Sequence, residues 1–208
     1  MPIVEFLTIN TSEAYIKDPA SSVQPLVDIL KKTDGCITFY HGAQEEGEKT
    51  KGHVAIIWET YEHHAALMRD PSYPLVGEAF GLLLAPGIPQ ENASMDHITF
   101  LVDSETALSA PTTEIATFTL KEGGDPQDLD AALGDLAKSI DAADGAHPPC
   151  CWGSSRERGG LFFLLVGWDS SKAHIASASS RPAEVKVVTD RLRNLADVAV
   201  VHTAFSKA

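Results

Sequence analysis

The chain has 208 residues, 44% of them hydrophobic, with 29 acidic against 16 basic side chains and a formal charge of -13. That composition supports one or two domains with a real core and excludes a disordered chain. The negative balance argues against nucleic acid and anionic membrane as partners, because phosphate surfaces select for positive charge.

Ile3–Asn10 is apolar and rich in β-formers and predicts a strand. Asp18-Pro19 offers an N-cap and a first-turn proline. Val23, Leu26, Val27 and Leu30 follow at helical spacing, and Asp34-Gly35 stops that helix. Cys36–Gly42 and His53–Glu59 read as strands joined by the charged loop QEEGEKTKG. On the second of them Val54, Ile56 and Trp58 share one face, and His53, Ala55, Ile57 and Glu59 the other. Thr60 is placed to cap a helix running to about Arg69. Asp70-Pro71 breaks it, and a further helix runs from Tyr73 to about Leu84. APGIPQENAS is a loop, and Met95–Val102 is the closing strand. The polar, aperiodic stretch Asp103–Thr113 reads as a linker.

The same order then returns. Glu114–Leu120 is a strand, and Asp125-Pro126 opens a helix with Leu129, Leu133, Leu136 and Ile140 on one stripe, ended by Gly145. Pro149–Ser154 and Gly160–Trp168 are strands. Helices follow around Ser171–Ser179 and Ala183–Ala196, and Val198–Phe205 is the last strand. A shift of 110 positions aligns Gly35 with Gly145, Trp58 with Trp168 and His64 with His174. The closing strands correspond as well, His97 in HITF with His202 in HTAF. The chain is therefore one unit written twice: residues 1–102 and 114–208, joined by 103–113.

Each repeat is a βαββαβ unit, the ferredoxin-like split motif, with helices on one face of an antiparallel sheet. The other face needs a cover. Two such units in one chain can press those faces together, so the expected fold class is α+β, two tandem ferredoxin-like repeats forming an intramolecular α+β barrel. The N-terminal segment MPIVEFLTINTSE lacks a basic stretch and a long apolar run, and no apolar run approaches the ~20 residues of a membrane span. A cytoplasmic protein is expected. Cys36, Cys150 and Cys151, odd in number and two of them adjacent, read as reduced, buried thiols.

The segment WETYEHHAALMRDPSYP resembles the dimeric α+β barrel superfamily, in its antibiotic biosynthesis monooxygenase form and in a tandem arrangement seen in fungi. Trp58, Glu59, His64, Pro71 and Tyr73 match the pattern. The second copy keeps Trp168, Asp169 and His174 but has Arg181 and Ala183 where the proline and aromatic stand. The resemblance implies a ligand pocket between the sheet and the helices of one unit. It covers cofactor-free oxygenases, polyketide cyclases, haem-degrading enzymes, isomerases and stress-responsive proteins. The haem-degrading members would place a histidine near Gly77 and a tryptophan near Leu67. Neither type stands there, so no haem is expected.

A histidine with a tyrosine partner can take a proton from a phenol or β-dicarbonyl while the tyrosine holds the oxyanion. The catalytic candidates are His97, His64 and Tyr73, and the substrate-binding candidates are Trp58, His41 and Tyr40. Each also has a structural reading: core packing for Trp58, a partly exposed helical histidine for His64, a satisfied buried histidine for His97. Tyr40 and His41 are neighbours on a strand, so at most one lines a given pocket. His63 lies about 100° round the helix from His64. Eight histidines form no HxH or HExxH spacing, so no metal is expected, with a site assembled in space as the alternative, and the cofactor-free reading of the resemblance implies no cofactor. The first repeat holds more polar candidates and is the expected site, with the second mainly scaffold. The expected function is a cofactor-independent oxygenase or cyclase acting on an aromatic or polyketide-like compound. The alternatives are a non-catalytic, stress-responsive or hydrophobic-ligand-binding protein, and a pseudo-dimer without a pocket. The expected partner is a small apolar or aromatic molecule, with a second copy of the fused chain left open.

Overall fold

The computed structural model describes residues 2–47, 50–87 and 93–208. Parts of the loops QEEGEKTKG and APGIPQENAS lie outside them. The chain divides into two units, 1–99 with 206–208, and 100–205.

Unit 1 runs β1 (Ile3–Asn10), α1 (Glu13–Lys17), α2 (Pro19–Leu30), β2 (Cys36–Ala43), β3 (Lys51–Trp58), α3 (Tyr61–Arg69), α4 (Tyr73–Gly81) and β4 (Ser94–Ile98). Its sheet is antiparallel, in the order β4-β1-β3-β2, with a short C-terminal strand, β9 (Ser206–Lys207), added beside β2. Unit 2 runs α5 (Glu105–Leu108), β5 (Thr112–Leu120), α6 (Pro126–Ile140), β6 (Ala146–Ser154), β7 (Leu161–Trp168), α7 (Ser171–Ser179), α8 (Ala183–Leu195) and β8 (Ala196–Thr203). Its order, β6-β7-β5-β8, is the same one read from the other edge. Both units are ferredoxin-like repeats.

The long helices start where the sequence says they should. Asp18 accepts from the Ser21 amide and Asp125 from the Gln127 amide, each with a proline in the first turn. In α2 the residues Val23, Leu26, Val27 and Leu30 are buried; they pack on Leu7, Ile9, Val54, Ile56 and Trp58. In α6 the stripe Leu129, Leu133, Leu136 and Ile140 packs on Phe118, Leu164 and Trp168. Gly35 and Gly145, the aligned glycines, have φ of 72° and 77°. This left-handed conformation suits glycine. A β-carbon at Gly35 would fall 2.1 Å from the His63 ring. Each glycine carbonyl accepts the amide of the acid after the tryptophan, Glu59 or Asp169, at 2.8 Å.

The structure departs from the expected elements at several places. The stretch 103–113 is not a bare linker. It carries α5, whose Ala107 and Leu108 are fully buried against β6 and β7, and β5 already begins at Thr112. The closing strand of unit 1 stops at Ile98, because Phe100 and Leu101 belong to unit 2, where the Leu101 amide meets the Trp152 carbonyl. Thr60 does not cap α3; its hydroxyl hydrogen-bonds the His63 ring instead, whereas Ser170 does cap α7 by accepting from the Ala173 amide. Cys150 and Cys151 are buried free thiols, and burial holds both well above the usual thiol range.

On the face of the unit 1 sheet away from its helices, His53 is 3% exposed. Its Nδ1 lies 3.2 Å from the Thr8 hydroxyl, and its Nε2 has no hydrogen-bond partner among the described residues. Burial pushes its pKa down to about 4; Glu46 opposes that and Lys51 adds to it. A folded-state pKa below the unfolded ~6.5 means the native state resists protonation. The contribution is intact above pH 6.5 and is lost as pH falls from there toward 4. Between pH 7.5 and 5.0 this one group should cost about 2 kcal/mol of stability. Urea unfolding of His53→Gln should therefore show an acid decline smaller than that of the natural protein by about that amount. Parallel declines would contradict the assignment.

Candidate active site

The site in unit 1 is built on three adjacent strands and one helix. Glu5 lies near the middle of β1, opposite His97 on β4 and Ile56 on β3. It is the only acid in an otherwise apolar and polar-neutral strand, and it faces the helices. A carboxylate in such a place needs partners. The indole N–H of Trp58, at the end of β3, donates to Glu5 Oε2 at 2.9 Å. His64, in the first turns of α3, stacks on that indole with ring centroids 5.0 Å apart and an interplanar angle of 15°. Its Nδ1 is 3.5 Å from Glu5 Oε2 and 2.7 Å from His97 Nε2. The edge of Tyr61 closes over His97 at 4.9 Å. Glu5, Trp58, His64 and His97 are all 5% exposed or less.

The same four groups recur in unit 2. Glu114 on β5 stands opposite His202 on β8. Trp168 donates its indole N–H to Glu114 Oε2 at 2.8 Å, and His174 stacks on Trp168 at 5.1 Å. His174 Nδ1 meets His202 Nε2 at 2.8 Å. Two differences separate the copies. His174 turns Nε2, not Nδ1, toward Glu114, at 3.5 Å. Glu114 also feels the half-buried guanidinium of Arg181. Burial raises the Glu114 pKa, and the Trp168 hydrogen bond, His202 and Arg181 oppose the rise.

A cavity of about 220 Å³ opens beside the unit 1 cluster, between the sheet and α2, α3 and α4. Leu7, Leu26, Leu30, Ile56, Val76, Phe80 and Met95 make its walls largely apolar, and Glu5, Trp58, His64 and Tyr73 are its polar groups. Burial, and then the charge of Glu5, raises the Tyr73 pKa, so the phenol keeps its proton and serves as a donor. His63 lines a separate outer groove with Asp34 and Asp70, as its angle to His64 requires.

Of the residues singled out from sequence, His64, Trp58 and Tyr73 line the cavity, and His97 stands behind it, bonded to His64. His64 is not the partly exposed helical histidine of its structural reading; stacking on Trp58 draws it inside. His41 and Tyr40 are not among the lining residues. His41 shares the helix-side face but is bound by the Tyr15 hydroxyl at 3.0 Å, and burial lowers its pKa. Tyr40 points to the other face, beneath the Lys207 ammonium. Glu5 escaped the sequence reading. The available signal was a lone acid at the same place in the first strand of both repeats. Spacing rules also did not anticipate that Glu5, His64 and His97 would bring three donor atoms within 4.8 Å of one another.

No family model matches the chain. No curated protein matches its sequence. Solved structures do match along its whole length. One is a protein from Lactobacillus acidophilus NCFM provisionally described as a monooxygenase, at 9% identity over 100% of this chain and 95% of that one, with TM-score 0.66. Another is an anthrone oxidase-like protein, at 12% identity over 100% and 93%, TM-score 0.63. A third is a mutant chlorite dismutase from Candidatus Nitrospira defluvii, at 8% identity over 99% and 91%, TM-score 0.61. The chain thus shares its tandem ferredoxin-like α+β fold with these proteins. Identities this low, among proteins this different, establish the fold and not the reaction. No helix among the described residues is long and apolar enough to cross a membrane.

Removing Glu5 leaves the buried indole N–H of Trp58 without its acceptor. Glu5→Ala should lower unfolding free energy by about 2–4 kcal/mol, and Glu5→Gln, which keeps an acceptor oxygen, by clearly less. Urea titrations of both variants check this; equal losses would mean that the carboxylate only fills space.

Proposed function

We propose that this chain is an enzyme of the antibiotic biosynthesis monooxygenase type that acts without a cofactor on a compact aromatic or polyketide-like molecule held in the unit 1 cavity. The observation that carries the reading is the apolar cavity set against a buried Glu5–His64–His97 chain, with a protonated phenol, Tyr73, also lining it. At about 220 Å³ the cavity is smaller than the roughly 300–1,000 Å³ typical of drug-sized ligands, so it suits two or three fused rings.

The chemistry follows from the groups present. His64 takes a proton from an acidic phenol or from carbon next to a carbonyl. Glu5, 3.5 Å away, stabilises the imidazolium so formed, and His97 and the Trp58 face hold the ring in place. The oxygen of the resulting enolate or phenolate accepts a hydrogen bond from Tyr73. With dioxygen as the oxidant, that species forms a carbon–oxygen bond to give a peroxide, which takes the proton back from the His64 imidazolium and loses water to leave a new carbonyl. In the cyclase case its carbon adds to a second carbonyl of the same molecule, whose oxygen takes that proton. The fold shared with a protein named as anthrone oxidase-like supports anthrone as a first probe.

With anthrone and EDTA present, the protein should quench Trp emission on binding and consume oxygen above the uncatalysed rate. His64→Ala should lower turnover about 100-fold or more, and Tyr73→Phe by less, with binding retained in both. Binding of anthrone without oxygen uptake or product would favour a non-catalytic ligand-binding protein instead. No binding of anthrone or of related two- and three-ring phenols would overturn both readings.

A further inference from the structure

We propose that Glu5, His64 and His97 form a binding site for a divalent first-row transition metal ion. Two imidazoles and a carboxylate are the donor set that such ions favour, and three protein donors leave positions open for other ligands. Their donor atoms lie within 4.8 Å of one another, and all three residues are buried. The 2.7 Å between His64 Nδ1 and His97 Nε2 is a hydrogen bond. It is only a few tenths of an ångström short of the ~2.9 Å between two imidazole nitrogens bound at right angles, each ~2.05 Å from one ion. A small ring movement brings these two nitrogens within reach of one ion, and the Glu5 oxygen, 3.5 Å from His64 Nδ1, closes in to complete the set.

The surroundings are those of a metal site too. Ligating side chains need a second set of partners to fix their orientation. The Trp58 N–H holds the Glu5 carboxylate at 2.9 Å, the Trp58 face stacks on His64, and Tyr61 packs edge-on against His97. Glu5 and His64 also line the cavity, so a molecule bound there sits next to the ion.

Unit 2 supplies the contrast. Its Glu114, His174 and His202 occupy matching strands, but His174 spends one nitrogen on each partner, so its donors diverge. Arg181 already places a cation near Glu114, where unit 1 has Pro71 in the aligned position. The chain thus carries one copy fitted for an ion and one copy fitted with a guanidinium.

An ion in unit 1 occupies the lone pairs that proton transfer needs, so the loaded form is a distinct state from the one described above. Its binding is read without substrate and stands or falls apart from the catalytic reading. The test is titration of the full chain, freed of metal, with cobalt(II) chloride, followed by visible d–d absorption. Saturation at one ion per chain is expected. Binding should be lost in Glu5→Gln and His97→Ala, weakened about 10–100-fold in Trp58→Phe, and unchanged in His202→Ala. It should also be unchanged in His147→Ala, which removes an exposed histidine paired with Asp169. X-ray absorption of the cobalt-loaded natural protein needs no variant and should show two imidazoles on the ion. Absence of saturable absorption, an imidazole-free shell, or loss of binding with His147→Ala instead of His97→Ala would overturn the site.

Discussion

A carboxylate placed inside a sheet must be answered by donors or expelled. In each half of this chain the first strand carries one such carboxylate on its helix-facing side, and the rest of the half is arranged to answer it. The answer is an indole N–H from the end of the third strand, backed by a stacked histidine from the following helix. That histidine in turn meets a histidine on the closing strand. Four elements from three separate stretches of the sequence are tied at one point. The tie fixes strand register, because Glu5 must face His97 across β1 and β4, and Glu114 must face His202 across β5 and β8. It also fixes the entry of the helix after the tryptophan. The repeat visible in the sequence is therefore the repeat of a polar knot as well as of a fold.

Once doubled, the knot was free to diverge. In unit 1 it borders a cavity, and Tyr73 adds a phenol to the wall. In unit 2 the aligned positions hold Arg181 and Ala183, which give Glu114 a guanidinium and remove the aromatic. One copy lies next to open space. The other has an arginine near its carboxylate. The same four residues can thus serve stability in both halves, and in unit 1 Glu5, Trp58 and His64 also line a cavity.

Much of this was legible beforehand for physical reasons. Helix stripes such as Val23-Leu26-Val27-Leu30 and glycine stops at Gly35 and Gly145 are local signals, and they located the elements. The alignment of Trp58 with Trp168 and His64 with His174 exposed the duplication. Pairing across strands was not legible. Nothing local says that Glu5 will face His97, so the acid that organises the site was passed over as part of an apolar strand. His41 shows the converse: its face was readable, but its capture by Tyr15 from α1, a helix not foreseen, was not. The stretch read as a linker misled because its polar ends conceal Ala107 and Leu108, whose burial depends on β6 and β7.

The indole protons report on the knot directly. The chain has three tryptophans. Two of them donate to buried glutamates, and the third, Trp152, donates to Asp130 at the surface. Hydrogen exchange followed by nuclear magnetic resonance should find the Trp58 and Trp168 indole N–H groups strongly protected and that of Trp152 rapidly exchanged. Equal exchange at all three would contradict the account, since it would mean that Glu5 and Glu114 are not held as described.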